Sequence, residues 1–157
     1  MKKIALFPGT FDPFTLGHES IVERGLNLVD ELIIAIGINT NKKTHFSLEQ
    51  RLEMLENLYA NEPRIKVQTY NCLTLDFASQ VGAKFILRGI RSMNDFEFEK
   101  SIADVNHCIS KIETLVLFTK PKFIHISSSI VRELLTFEKN VDEFVPKKLN
   151  IYKYLIK

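Results

Sequence analysis

"IALFPGTFDPFTLGHESIVERGLNLVDELIIAIGI", residues 4–38, contains a short apolar run, a loop, a helical pattern and a second apolar run. Ile4–Phe7 and Leu32–Ile38 are apolar on both faces, as strands buried within a parallel sheet are. From His18 to about Leu28 the apolar residues Ile21, Val22, Leu26 and Val29 follow a helical stripe. Strand, helix and strand in that order predict a right-handed βαβ crossover. The connection from Phe7 to His18, "FPGTFDPFTLGH", uses two glycines, two prolines and two threonines before it delivers one histidine. A plain turn needs far less, so this loop is expected to hold a ligand.

The same alternation continues outward. Further strands are expected at Ile65–Tyr70, Lys84–Leu87 and Leu115–Thr119. Ser47-x-x-Gln50 is a capping box opening a helix whose buried side is Leu48, Leu52, Leu55 and Leu58. Another helix covers Leu75–Val81 and stops at Gly82, the longest runs from about Asn94 to Ile112, and Ser127–Ser129 open one through Leu135. Short helices finish the chain. Without repeats, low-complexity stretches or a linker, residues 1–157 form a single domain. The expected fold is α/β: a Rossmann-like, doubly wound, five-stranded parallel sheet with helices on both faces.

Composition excludes several classes. With 45% hydrophobic and 25% charged residues the chain reads as an ordinary soluble globular protein, and its net charge of +2 is too mild to imply a nucleic-acid partner. No apolar segment approaches the ~20 residues that span a bilayer, so no membrane partner is expected. Met1-Lys2-Lys3 runs straight into a strand without a signal sequence, which points to the cytoplasm. Cys72 and Cys108 form no metal or redox spacing and read as reduced thiols packed in the core. None of the four histidines has metal-ligand spacing, so no protein-built metal site is expected.

In a doubly wound sheet, ligands bind beyond the carboxyl ends of the strands, where strand order reverses. Three groups of residues fall on that edge. In the first loop, Gly9 allows close backbone approach, Thr10 offers a hydroxyl, and Gly17-His18 stands at a helix start suited to phosphate. In "LRGIRS", Arg88 leaves a strand end, Gly89 permits a sharp turn and Arg91 follows, a pair suited to clamping phosphate. In "HISSSIVRE", three serines bring hydroxyls and free N–H groups to another helix start. Each has an ordinary reading too: a decorated loop, solvated arginines, an over-supplied cap. Glu97 and Glu99 of "DFEFEK" read as a solvated acidic face, and Lys42 and Lys43 as loop lysines. Together they supply positive charge and N–H donors without a nucleophile–base pair, an outfit for positioning phosphates.

These residues also carry a resemblance. Thr15-Leu16-Gly17-His18 is similar to the T/H-x-G-H signature of the nucleotidyltransferase superfamily, and "ISSSIVR" from Ile126 to its I-S-S-[ST]-x-x-R signature. With "PGTFDPFTLGH" and "LRGIRSMNDFEFE" in order, the chain resembles the bacterial phosphopantetheine adenylyltransferase family nearly end to end. Leu16 stands where asparagine is common and Phe98 where tyrosine is common. The resemblance implies transfer of the adenylyl group of ATP to 4′-phosphopantetheine, giving 3′-dephospho-coenzyme A and pyrophosphate, with Mg2+ held mainly by phosphates and water. It assigns His18 as transition-state stabiliser, with charge support from Lys42 and Arg91. It gives ATP to Thr10, Phe11, His18, Gly89, Ile90, Arg91, Glu99 and the run Phe123, Ile124, His125, Ile126, Ser127, Ser128 and Ser129. It gives phosphopantetheine to Thr10, Lys42, Thr74 and Arg88. It also implies a homohexamer built from two trimers. Nicotinamide-mononucleotide adenylyltransferases and glycerol-phosphate cytidylyltransferases are the rivals in the superfamily, and both usually carry histidine where Thr15 stands. A non-catalytic nucleotide-sensing or RNA-binding module is the rival outside it.

Overall fold

The computed structural model describes residues 2–38 and 43–155. Five strands, β1 (Ile4–Gly9), β2 (Glu31–Gly37), β3 (Ile65–Tyr70), β4 (Phe85–Ile90) and β5 (Glu113–Phe118), form one parallel sheet in the order β3-β2-β1-β4-β5. The helices are α1 (Leu16–Gly25), α2 (Leu48–Leu58), α3 (Thr74–Gln80), α4 (Met93–Ser110) and α5 (Ser128–Thr136). One sheet face packs Ile21 and Val22 of α1 and Leu55 of α2 against Phe7, Ile34 and Leu87. The other packs Phe77 and Ala78 of α3 against Leu6, Ile33 and Ile86. The doubly wound architecture expected from the sequence is therefore present. A third cluster joins Met54 of α2, Val131 of α5 and the C-terminal Val141, Val145 and Ile151.

Local chemistry sets the ends of these elements. Ser47 Oγ accepts the Gln50 amide at 3.2 Å and Gln50 Oε1 accepts the Ser47 amide at 2.9 Å, the reciprocal cap that opens α2. Gly82 closes α3 with φ +70°, which a side chain would resist. At the opposite edge of the sheet from the site, the buried Glu31 carboxylate ties Lys2 and Lys66 at 2.7 and 2.9 Å.

Two boundaries matter for the site. Helix α1 begins at Leu16, so His18 lies in its first turn. Strand β4 continues through Arg88 and Gly89 to Ile90 because β5 supplies partners along its whole length, from Phe85↔Glu113 to Ile90↔Phe118. Gly89 therefore makes no sharp turn: a Cβ there would lie 2.8 Å from Cγ1 of Ile21, so the glycine lets α1 sit close on β4. Strand order reverses between β1 and β4, which pair only at Ala5–Phe85 and Leu6–Ile86 and then part. That gap is the switch point expected to bind ligand.

Candidate active site

The loop leaving β1 is held from behind. Arg88 Nη1 donates to the Pro8 carbonyl, Arg51 Nη1 to that of Thr10 and Arg132 Nη1 to that of Asp12, each at 2.7 Å. Ser128 Oγ donates to the Pro13 carbonyl at 2.8 Å. The Asp12 carboxylate accepts the amides of His45 and Phe46 at 2.8 and 2.9 Å. This grip maintains Phe11 at φ 49°, a left-handed backbone that a phenylalanine adopts at a cost. Its ring lies over Gly9, where a Cβ would approach it to 2.8 Å, so the space beside Gly9 is filled by the protein rather than left for a ligand. Gly17, by contrast, has room for a Cβ, whose nearest neighbour would be the Thr15 hydroxyl at an ordinary contact distance of 3.6 Å.

His18 stands half-buried among the rings of Phe7, Phe11 and Phe14, whose centroids lie 6.2, 5.2 and 5.2 Å away. Its Nδ1 accepts the Thr15 amide at 3.0 Å, with the Thr15 hydroxyl also at 3.0 Å. Two donors on Nδ1 assign the ring proton to Nε2, which meets no acceptor among the described residues. Burial, then the charges of Arg91 and Arg88, lower its pKa from 6.5 to about 4. At neutral pH the ring is an uncharged N–H donor.

Two cavities open on this loop. The larger, about 540 Å³, runs between α3 and α4, with Thr74 and Leu75 on one wall and Ile102, Asn106 and Ile109 on the other. The smaller, about 420 Å³, is lined by Gly17, His18, Gly89, Arg91, Phe98 and Ser127–Ser129. They share Pro8, Gly9, Thr10, Arg88 and Glu99. Two elongated ligands placed one in each would meet at Thr10 and Arg88.

The expected site residues sort accordingly. Thr10, Phe11, His18, Gly89, Arg91, Glu99, Ile126 and the three serines line the smaller cavity; Thr10, Thr74 and Arg88 line the larger. Ile90, Phe123, Ile124 and His125 line neither: Ile90 is buried in β4, and the other three belong to a 3-10 turn and its exit. Lys42 lies outside the described residues. Glu99 is not part of a solvated face. Its buried carboxylate takes Nε of Arg88 at 2.8 Å and pairs with Nη2 as well, while Glu97 is exposed. The serine hydroxyls are engaged inside the protein: Ser127 caps α5 at Ile130, Ser128 holds Pro13 and Ser129 accepts from Arg132. Backbone N–H groups of the first turn of α5 are what that helix start has left to offer a ligand. Both cysteines are exposed rather than in the core, Cys72 between β3 and α3 and Cys108 on α4.

Sequence reasoning gave no role to Asp12, Arg51, Asp95 or Arg132, although Arg132 closes the second signature. Asp95 receives the Arg91 amide at 3.0 Å and faces its guanidinium at 3.4 Å. Arg51 left one trace: it occupies the inward stripe of α2 between Leu48 and Leu52, where a charge is out of place. The acidic groups lining the smaller cavity, Asp12, Asp95 and Glu99, each already serve a protein donor. Among the described residues no cluster of histidine, cysteine or carboxylate groups could hold a metal, and no helix is long and apolar enough to cross a membrane.

Residues 6–134 match the family model described as cytidylyltransferase-like. The chain is 58% identical over 147 residues to a phosphopantetheine adenylyltransferase of Bacteroides thetaiotaomicron, covering 94% of this chain and 97% of that one. It is 55% identical to the Bacteroides fragilis protein of the same name, over 94% of this chain and 98% of that one. Among solved structures it is similar to a bifunctional NMN adenylyltransferase/ADP ribose pyrophosphatase from Francisella tularensis, with TM-score 0.76 and 18% identity over 99% of this chain. It spans 49% of that larger protein, and at that identity the likeness concerns the fold alone.

Proposed function

The chain belongs to the phosphopantetheine adenylyltransferase family within the cytidylyltransferase-like proteins, and from that membership we propose how its two cavities share the work. It transfers the adenylyl group of ATP to 4′-phosphopantetheine, giving 3′-dephospho-coenzyme A and pyrophosphate. The larger, mainly apolar cavity takes the pantetheine arm, and its phosphate end lies toward Thr10 and Arg88. ATP occupies the smaller, with its phosphates toward the α5 start and Arg91. One observation carries this reading: the two cavities share a wall at Thr10 and Arg88, so two phosphates can meet there.

The attacking oxygen belongs to a phosphate already ionised at neutral pH, so no general base is required. Alignment and cover for developing charge are required. His18 supplies one Nε2–H to the α-phosphate, where charge grows during in-line attack, and a neutral donor does so without binding the ground state tightly. Arg91, with Lys42, balances phosphate charge. Glu99 acts through Arg88, holding its guanidinium toward the shared wall, rather than by touching ATP. Because the carboxylates of the cavity are engaged, the donor set fits a magnesium ion carried by the ATP phosphates and water. Such an ion would supply charge neutralisation on the triphosphate.

The protein works as a homo-oligomer, a hexamer of two trimers. That reading is supported by large apolar side chains left exposed along α4 and the edge strand β5. Its exposed, unpaired cysteines suit a reducing compartment, the cytoplasm. Pyrophosphate release tests the reaction, with ATP offered separately alongside phosphopantetheine, nicotinamide mononucleotide and glycerol phosphate. Release with phosphopantetheine alone is expected; turnover of either other acceptor in its place overturns the assignment.

A further inference from the structure

Arg51 is a charged residue where the helix pattern asks for an apolar one. It falls on the inward stripe of α2 and is buried. Burying a guanidinium forfeits hydration that only well-matched partners return. Those partners are three backbone carbonyls: Phe46 and Ser47 receive Nε at 3.2 and 3.3 Å, and Thr10 receives Nη1 at 2.7 Å. The counter-charge acting on it most strongly is Asp12, also buried, whose carboxylate is occupied by the amides of His45 and Phe46. One cation and one anion thus join residues 10–12 to residues 45–47 in a single hydrogen-bonded block.

Leucines alone would seat α2 on the sheet. What the charged pair adds is direction. Fixing the Thr10 carbonyl fixes the peptide that follows it, and that peptide leads into Phe11, whose ring meets the His18 ring edge-on at 5.2 Å. Thr10 itself stands in the wall shared by the two cavities, while Arg51 lines neither. We propose that Arg51, with Asp12 as its counter-charge, is a positioning residue for adenylyl transfer: it sets Thr10 and Phe11 against His18 without touching either substrate. The inference rests on the adenylyl-transfer reading above.

The test compares Arg51→Met, which keeps length without charge, with Arg51→Lys, which keeps charge without the planar fork. Steady-state kinetics with ATP and phosphopantetheine are normalised to the folded fraction by circular dichroism. Loss of positioning should lower kcat of Arg51→Met on the order of 10²-fold while both KM values move less than about threefold. Arg51→Lys should fall between that variant and the wild type, and the His18 ring proton resonances should shift in Arg51→Met. If Arg51→Met does not fold, Arg51→Ala with millimolar guanidinium carries the test, with kcat expected to rise as guanidinium is added. A folded variant whose kcat stays within about threefold of wild type, or whose loss lies wholly in KM, overturns the role. Wild-type turnover is the control: its absence strikes the reaction assignment and the role of Arg51 with it, whereas active wild type matched by the variants strikes Arg51 alone.

Discussion

The role proposed for His18 is that of a donor whose value depends on remaining neutral. Its lowered pKa has a definite sign: the folded protein disfavours the imidazolium, so the ring contributes stability fully above pH 6.5 and loses it as pH falls toward 4. An NMR titration of the His18 ring should therefore show a midpoint near 4 and no charge change at pH 6.5. His18→Ala should cut kcat by ~10²–10³, the usual loss for one donor to a developing oxyanion, with substrate affinities and melting temperature changed little. A loss below tenfold reduces His18 to a helix-start residue. Arg88 tests the other half of the site. Arg88→Ala strands the buried Glu99 carboxylate and should cost roughly 2–3 kcal/mol of stability, below the fully buried case because Arg88 is partly exposed. The double variant Arg88→Met/Glu99→Gln should recover stability in urea melts yet still bind phosphopantetheine poorly by calorimetry. At this scale the sequence pointed to His18, Arg88 and Arg91 as candidates, and the fold brings all three to the smaller cavity. The sequence hid the use of Glu99, Asp12 and Arg51, since each depends on a partner brought from a distant element, as Asp12 is by His45 and Phe46.

Elements were more legible than single side chains. Five runs of apolar residues became five strands, and the Ser47–Gln50 box and Gly82 marked real helix ends because caps and left-handed stops are decided within a few residues. The end of β4 was not legible. A glycine after an arginine reads as a turn, yet continuing a strand is settled by the neighbouring strand, here β5 from Glu113 to Phe118. The consequence is measurable at the α1–β4 contact. A methyl at residue 89 would press on Cγ1 of Ile21, one turn beyond His18, and Ile21 is buried in the core cluster that includes Phe7 and Leu87. Gly89→Ala should cost about 1–3 kcal/mol by overpacking. It should also lower kcat, because the helix displaced is the one that carries His18. Urea midpoints with parallel kinetics would check both, and an unchanged midpoint would mean that α1 has slack that the packing does not suggest.

For the whole molecule, the balance between buried and exposed apolar surface is uneven. The four other α-helices each bury part of one face, but α4 buries only Glu99 among its residues and β5 buries none. Met93, Ile109 and Phe118 stand 69%, 70% and 72% exposed, with Phe98 and Val105 also open on the same helix. A monomer in water gains nothing from that arrangement, whereas packing α4 and the β5 edge on other copies would remove it from solvent. Light scattering at micromolar concentration should therefore give a multiple of the 18.1 kDa chain mass, with six chains expected. Phe118→Glu, which lines neither cavity, should reduce that mass by placing a charge in the contact. Catalysis should register the change unequally. Val105 and Ile109 are at once exposed on α4 and part of the wall of the larger cavity, so a neighbouring copy over α4 would help to close the mouth of the cavity proposed for the pantetheine arm. Of the exposed apolar residues of α4, only Phe98 lines the smaller cavity, proposed for ATP. Dissociation by Phe118→Glu should then raise KM for phosphopantetheine more than KM for ATP; equal changes in both, or a monomer already present in the wild type, would rule out that coupling.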